Sequence, residues 1–402
     1  MKFAIGAALL LGSAGLLSGC AGFWDPPASG GGGGGSTPTT LSSGIFYVLN
    51  QKTSQVVGYS INTGKLVSIS GGTQTLPAGP FCIAIAPSGG FLYVGTVNGI
   101  YLYTIGSSGA LTIANNGAPV SSDIASAIAV DGSWLVDAFA TTNNNPQLDA
   151  IPINPANGVY TGGGGSPPTE VFSNISNASV SQMALSPDGT YLFVALGKGG
   201  TIVVPFNAGN SNPLGTTAIP IGVLKSNGSA LSVAVDPQAR FFYIGETLAN
   251  SAGNSGGLRA FNYSSLSSGS RGLLTQVSGS PVASGGLAPN AILPLDDGST
   301  VYVANGGGTT AKGNIAWFPI TASGTSYSIA AGSAIATGVQ PVGLAEDNQA
   351  NFILAVSSGG STSSGNPDLG AYTISSGALT SALTSTTGTD PVGAIAIAAM
   401  PQ

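Results

Sequence analysis

Glu246 and Arg259 stand on either side of a Gly/Ser/Asn-rich loop, the first closing the apolar run FFYIGE and the second opening LRAFNY. An antiparallel hairpin built on those runs brings carboxylate and guanidinium together. A carboxylate so placed can act as general base toward a water attacking a lactone, while the guanidinium holds an anionic group of the substrate. The plainer reading of the same two residues is a surface ion pair that contributes little. Lys198 and Lys312 fall in the equivalent loops of two sibling segments, where they add positive field or are simply solvated. With Asn290 and Asn305 they make up the candidate ligand-binding face.

Other chemistries are excluded by what the chain lacks. It has no histidine, and so lacks the commonest general base and the commonest metal ligand. With two cysteines, Cys20 and Cys82, zinc and iron–sulfur centres are also excluded, and Cys82 in its apolar run reads as a small buried hydrophobe. Asp131, Asp188, Asp236, Asp296 and Asp347 recur at one turn of a repeated segment. Aspartate is a natural cap for a tight turn, and these turns fall on the face opposite Glu246, so they read as structural rather than as calcium or catalytic sites. The glycine-rich stretches 162–165 and 306–308 have no following helix or Lys-Ser/Thr and are not phosphate loops. No cofactor and no metal is expected. Charged residues are 6% of the 402-residue chain, against roughly 25% in a typical soluble protein. The formal net charge is -6, and the scattered basic residues offer no patch for nucleic acid.

The elements that must position these residues are legible in Ser181 to Phe206, SQMALSPDGTYLFVALGKGGTIVVPF. Three short apolar runs are separated by Ser186-Pro187-Asp188-Gly189 and by Gly197-Lys198-Gly199-Gly200, the signature of a β-meander. The second run recurs as FYVLN, FLYVG, WLVDAF, YLFVAL, FFYIG, VYVAN and FILAV. The third recurs seven times as well, and a weaker fourth run follows it, as in ALTIANN from Ala110. The first run has six copies before the end, and the seventh is supplied by Pro391 to Gln402. The two ends therefore complete one unit between them. Spacings between successive turns, from Pro87 to Met400, run from 44 to 59 residues, in the range of propeller blades. Seven four-stranded units that share strands between first and last close into a ring, which protects the sheet edges. An open solenoid would need no complementary ends, and two sandwiches would not give one continuous repeat. The expected fold is all-β, a seven-bladed β-propeller of four-stranded antiparallel blades closed by the C-terminal strand.

The units resemble those of the lactonase-type seven-bladed propeller family, which includes 6-phosphogluconolactonase-like proteins and muconate-lactonizing enzymes, and surface-layer proteins with YVTN-type repeats. The residues that carry the resemblance are Ser186-Pro187-Asp188-Gly189 with Tyr191 to Val194, Val301 to Asn305, and the recurring third strand. It spans residues 44–402. The resemblance implies Pro-His at the start of the first strand, but here the dipeptides are Pro80-Phe81, Pro289-Asn290, Pro341-Val342 and Pro391-Val392. A lactonase in this chain would have to work with carboxylate and guanidinium alone.

Met1 and Lys2 precede an uncharged run that ends in Leu17-Ser18-Gly19-Cys20. The ending resembles a bacterial lipobox, which implies a signal peptide over 1–19 and lipidation of Cys20. Residues 20–43, dense in Gly, Pro, Ser and Thr, read as a flexible tether, and 44–402 as the propeller. The expectation is a monomeric propeller anchored by lipid in the bacterial cell envelope, outside the cytoplasm at the outer membrane or cell surface. It would serve as a binding scaffold for a small molecule, a saccharide or an envelope protein. The alternatives are a cofactor-free lactone hydrolase and a structural or adhesive surface protein.

Overall fold

A computed structural model describes residues 44–62, 65–163, 165–248, 255–266, 274–307, 312–323, 326–359, 368–384 and 390–401. Cys20 and the segments expected to be a signal peptide and a tether lie outside them. The strands form seven antiparallel sheets, in the order expected of propeller blades. In blade 2 the chain runs through Pro80–Ile85, Phe91–Thr96, Gly99–Ile105 and Leu111–Ile113, from the axis outward. Blade 1 is composite. Its inner strand is the C-terminal Ala394–Ala399, which pairs with Phe46–Asn50 and closes the ring.

The seven inner strands each touch the next around the axis. They are rich in Ala, Ile and Val, because each is covered by the blades on both sides and only small or branched side chains fit near the axis. Their burial is almost continuous rather than alternating, as in Ala394–Ala399 and Pro289–Pro294. Between blades the larger side chains interlock, for example Phe193 against Phe242, with ring centroids 5.0 Å apart.

The tyrosine of the second strand has a specific task. Tyr47, Tyr93 and Tyr302 occupy the same place in blades 1, 2 and 6, and their buried hydroxyls donate to the carbonyls of Gly109, Gly158 and Gly377 in the following blade. Each of these glycines has positive φ and turns the chain between the third and fourth strands. A buried phenol needs such an acceptor. Blade 6 departs from the four-strand pattern: Lys312–Ser323 pairs with Ala334–Val339 through its first half and with Ser326–Ile329 through its second.

Candidate functional site

Strands Phe241–Glu246 and Gly257–Asn262 pair so that Ile244 faces Arg259 and Glu246 faces Gly257. The structure places the Arg259 Nη1 2.8 Å from Glu246 Oε1. Nη1 also donates to the Gly222 carbonyl at 2.8 Å, the Leu224 amide donates to Glu246 Oε2 at 2.8 Å, and the guanidinium lies over the Phe261 ring. The pair is sunk in the seam between blades 4 and 5: Glu246 is 1% and Arg259 8% exposed. It is not a surface ion pair. Each carboxylate oxygen holds one partner and keeps a free lone pair, so what a base in this position lacks is access to water rather than acceptor capacity.

The remaining candidates are spread. Lys198 and Lys312 are exposed. Lys312 borders a cleft of about 150 Å³ with Thr337, Ser357, Tyr372 and Ser381. Asn290 and Asn305 are buried. Asn290 Nδ2 donates to the Pro341 carbonyl of the next blade at 2.9 Å, and the Asn305 amide is bound to Ser284 and Asn314. Neither this cleft nor the axial cavity below is lined by Glu246, Arg259, Lys198, Asn290 or Asn305.

Where the resemblance implies Pro-His, the inner strand bulges. The register slips after Pro80, Ala230, Pro289, Pro341 and Ala394, leaving Phe81, Leu231, Asn290, Val342 and Ile395 as the extra residues. Pro391-Val392 is therefore not the fourth member of this set. It precedes the inner strand, and Ala394-Ile395 holds the equivalent place.

The turn aspartates cap as expected, but at two turn positions rather than one. Asp131 Oδ1 accepts from the Ser133 and Trp134 amides, and Asp347 Oδ1 from those of Asn351 and Phe352. Asp236 at the same position takes the Arg240 amide and guanidinium. Asp188 sits two residues further along its turn and accepts from Thr190 and, at 2.6 Å, from the Tyr263 hydroxyl. In blade 6 that position belongs to Asp297, which accepts from the Ser299 amide; Asp296 precedes it.

These turns surround the mouth of a cavity of about 220 Å³ on the propeller axis. Its wall is Ala84, Ile85, Val130, Leu185, Val235 and Pro294, and its rim includes Pro87, Asp131, Asp188 and Pro237. The axial cavity thus opens on the turn face, the one expected to be structural. The ends of the inner strands form its wall, and Glu346 holds the equivalent strand end in blade 7. Glu346 is 3% exposed and its Oε2 has no hydrogen-bond partner. Burial, with the nearby Asp296 and Asp347 charges adding to it, pushes its carboxyl up to about 8.

Sequence reasoning missed a third group. Asp123, Asp137 and Asp149 converge at the seam of blades 2 and 3. The signal was present in WLVDAF and LDAIPI, where a charge interrupts runs that are apolar in most sibling blades.

No protein-family profile matches the sequence, and no curated protein matches it. Solved structures do match in fold. The Pseudomonas aeruginosa periplasmic gluconolactonase PpgL superposes with a TM-score of 0.65 at 16% identity, over 88% of this chain and 98% of its own. A candidate 6-phosphogluconolactonase from Bacteroides uniformis gives the same TM-score, identity and coverage. A functionally unknown protein from Desulfotomaculum acetoxidans gives 0.61 at 15%, over 90% of this chain and 100% of its own. At these identities the likeness is one of fold, and the chain is a seven-bladed β-propeller of lactonase-like architecture.

Proposed function

We propose that the protein is a lipid-anchored, extracytoplasmic binding scaffold whose ligand-contacting surface is the turn face of the propeller. The observation that carries this reading is the axial cavity, apolar within and rimmed by carboxylates and prolines. Apolar cavities of about 150 Å³ take up benzene-sized guests, so this one suits an aromatic or branched aliphatic group carried by a small molecule or presented by an envelope protein. The 6% of charged residues leaves neutral polar loops around it, fitting for contact with uncharged envelope material. The test is titration of the full-length protein with a fluorescent apolar probe such as anilinonaphthalene sulfonate. Saturable binding near one probe per chain is expected, and Leu185→Trp, which fills the cavity, should weaken it at least tenfold. Binding that is absent, or untouched by the substitution, overturns the cavity as the site. The anchor is tested separately: Cys20→Ser should move the protein from the membrane to the soluble fraction.

A second reading, a cofactor-free lactone hydrolase, is favoured by the Glu246–Arg259 pair and by the fold shared with a gluconolactonase. Incubation with 6-phosphogluconolactone and gluconolactone separates the two. Turnover that vanishes in Glu246→Gln, in protein whose melting is still cooperative, replaces the scaffold reading with the hydrolase.

A further inference from the structure

Blade 3 carries charge where five of its six siblings carry uncharged side chains. At the middle cross-strand pair of the second and third strands, the siblings set Val48 opposite Val57, Val94 opposite Tyr101, Val194 opposite Ile202, Val303 opposite Ala316 and Ala355 opposite Gly370. Blade 5 sets Ile244 opposite Arg259, whose charge Glu246 matches. Blade 3 sets Asp137 opposite Asp149, two acids side by side in a protein interior.

Asp123 joins them from the connection between blades 2 and 3. One carboxylate oxygen from each residue lies within 4.8 Å of the others. Asp137 is fully buried, and neither of its oxygens has a hydrogen-bond partner. The polar groups it faces are the Asp123 carboxyl and the backbone of Asp149. Asp149, 3% exposed, is oriented by Gln147, whose Nε2 donates to its two oxygens at 3.2 and 3.0 Å. Asp123 is half-buried and accepts from the Ser121 hydroxyl. The two ion pairs formed between described residues, Asp236–Arg240 and Glu246–Arg259, both belong to blade 5.

A buried carboxylate with no partner must either keep a proton or hold a cation. Three carboxylate oxygens within 4.8 Å of one another can share one hard cation, and a largely buried set of protein carboxylates suits calcium, because magnesium dehydrates reluctantly and keeps several waters. Asp123, the one partly exposed member, marks the side from which an ion would enter. We propose that Asp123, Asp137 and Asp149 form a binding site for a calcium-sized divalent cation that ties the exit of blade 2 to the two middle strands of blade 3. Without such an ion, burial and the neighbouring carboxylates push the Asp137 carboxyl well above its ordinary range; a bound divalent charge reverses that bias.

The test uses full-length protein stripped with EDTA and titrated with calcium chloride by calorimetry and by thermal melting. One ion per chain is expected, with Tm raised by roughly 3–6 °C at saturation and less by magnesium. Asp137→Asn and Asp149→Asn should each abolish the shift, and Asp123→Asn should weaken binding at least tenfold. In EDTA, Asp137→Asn should melt at or above the wild type, because it removes a buried acid. Wild-type protein that binds no ion and melts alike in calcium and EDTA overturns the site and leaves the trio sharing a proton. Binding that persists in the three variants overturns it as well. Should Asp137→Asn fail to fold, the wild-type titration and the half-exposed Asp123→Asn decide the matter.

Discussion

Glu246 and Glu346 are almost equally buried, but their surroundings differ. Glu246 has a guanidinium at 2.8 Å and a backbone amide on its second oxygen. Glu346 has one oxygen without a partner and the acids Asp296 and Asp347 nearby. It closes an inner strand at the position where the other blades place Ala399, Ile85, Val130, Leu185, Val235 and Pro294, and it is the only charged residue in that ring of seven. Its carboxyl is raised to about 8 in the fold against 4.5 as the ordinary value, so the native state binds the proton more tightly than the unfolded chain. The resulting stabilisation is complete below pH 4.5 and is lost as pH rises toward 8, at up to about 1.4 kcal/mol per pH unit. Thermal melts from pH 5 to 8 should therefore show Tm falling with pH. Glu346→Gln, which keeps the shape of the neutral acid, should flatten most of that fall. Identical pH profiles for variant and wild type would show that Glu346 is not held neutral.

At the scale of the strand, the blade-to-blade tyrosine bonds explain why the second run so often carries an aromatic in its centre. Tyr93→Phe removes one donor and leaves the Gly158 carbonyl in a seam closed to water. The expected cost is about 1 kcal/mol, read as a lower urea midpoint with an unchanged slope; no change in midpoint would mean that water replaces the hydroxyl. The strand itself was legible in FLYVG, because alternation and turn punctuation are local. Its hydroxyl's acceptor was not, since Gly158 lies 65 residues further along the chain. The hairpin joining Glu246 to Arg259 was legible for the same local reason, but its burial was not, because Gly222 and Leu224, which cover it, arrive from the preceding blade. Asp137 stood in plain view within WLVDAF, yet its meaning needs Asp149 opposite and Asp123 from a connection. The split outer strands of blade 6 have no periodicity that marks where Lys312–Ser323 changes partner.

Closure of the ring joins seven weakly related blades into one continuous body. Each blade buries its faces only against neighbours, so blade 1 depends on a strand that enters from the far end of the sequence. Ala394–Ala399 pairs with Phe46–Asn50 in a register that sets Phe46 opposite Ala399 and Val48 opposite Ile397. The closure is extended by the Met400 amide on the Ile45 carbonyl and the Gln51 amide on the Gly393 carbonyl. On either side of this strand lie two apolar clusters, one with Tyr47, Leu49 and Ile83, the other with Phe46, Val48 and Leu354. Removing residues 391–402 opens both clusters to water and leaves Phe46–Asn50 as a bare edge, a template for association with other chains. Because an opened ring also frees its two neighbouring blades, the loss exceeds the area of one strand. The truncated protein should melt at least 10 °C lower and over a broader range, and it should aggregate on heating. A synthetic peptide of residues 391–402, added in excess, should restore part of the melting temperature by pairing with the exposed edge. A truncated protein with the wild-type melting curve would mean that the blades are held without this strand.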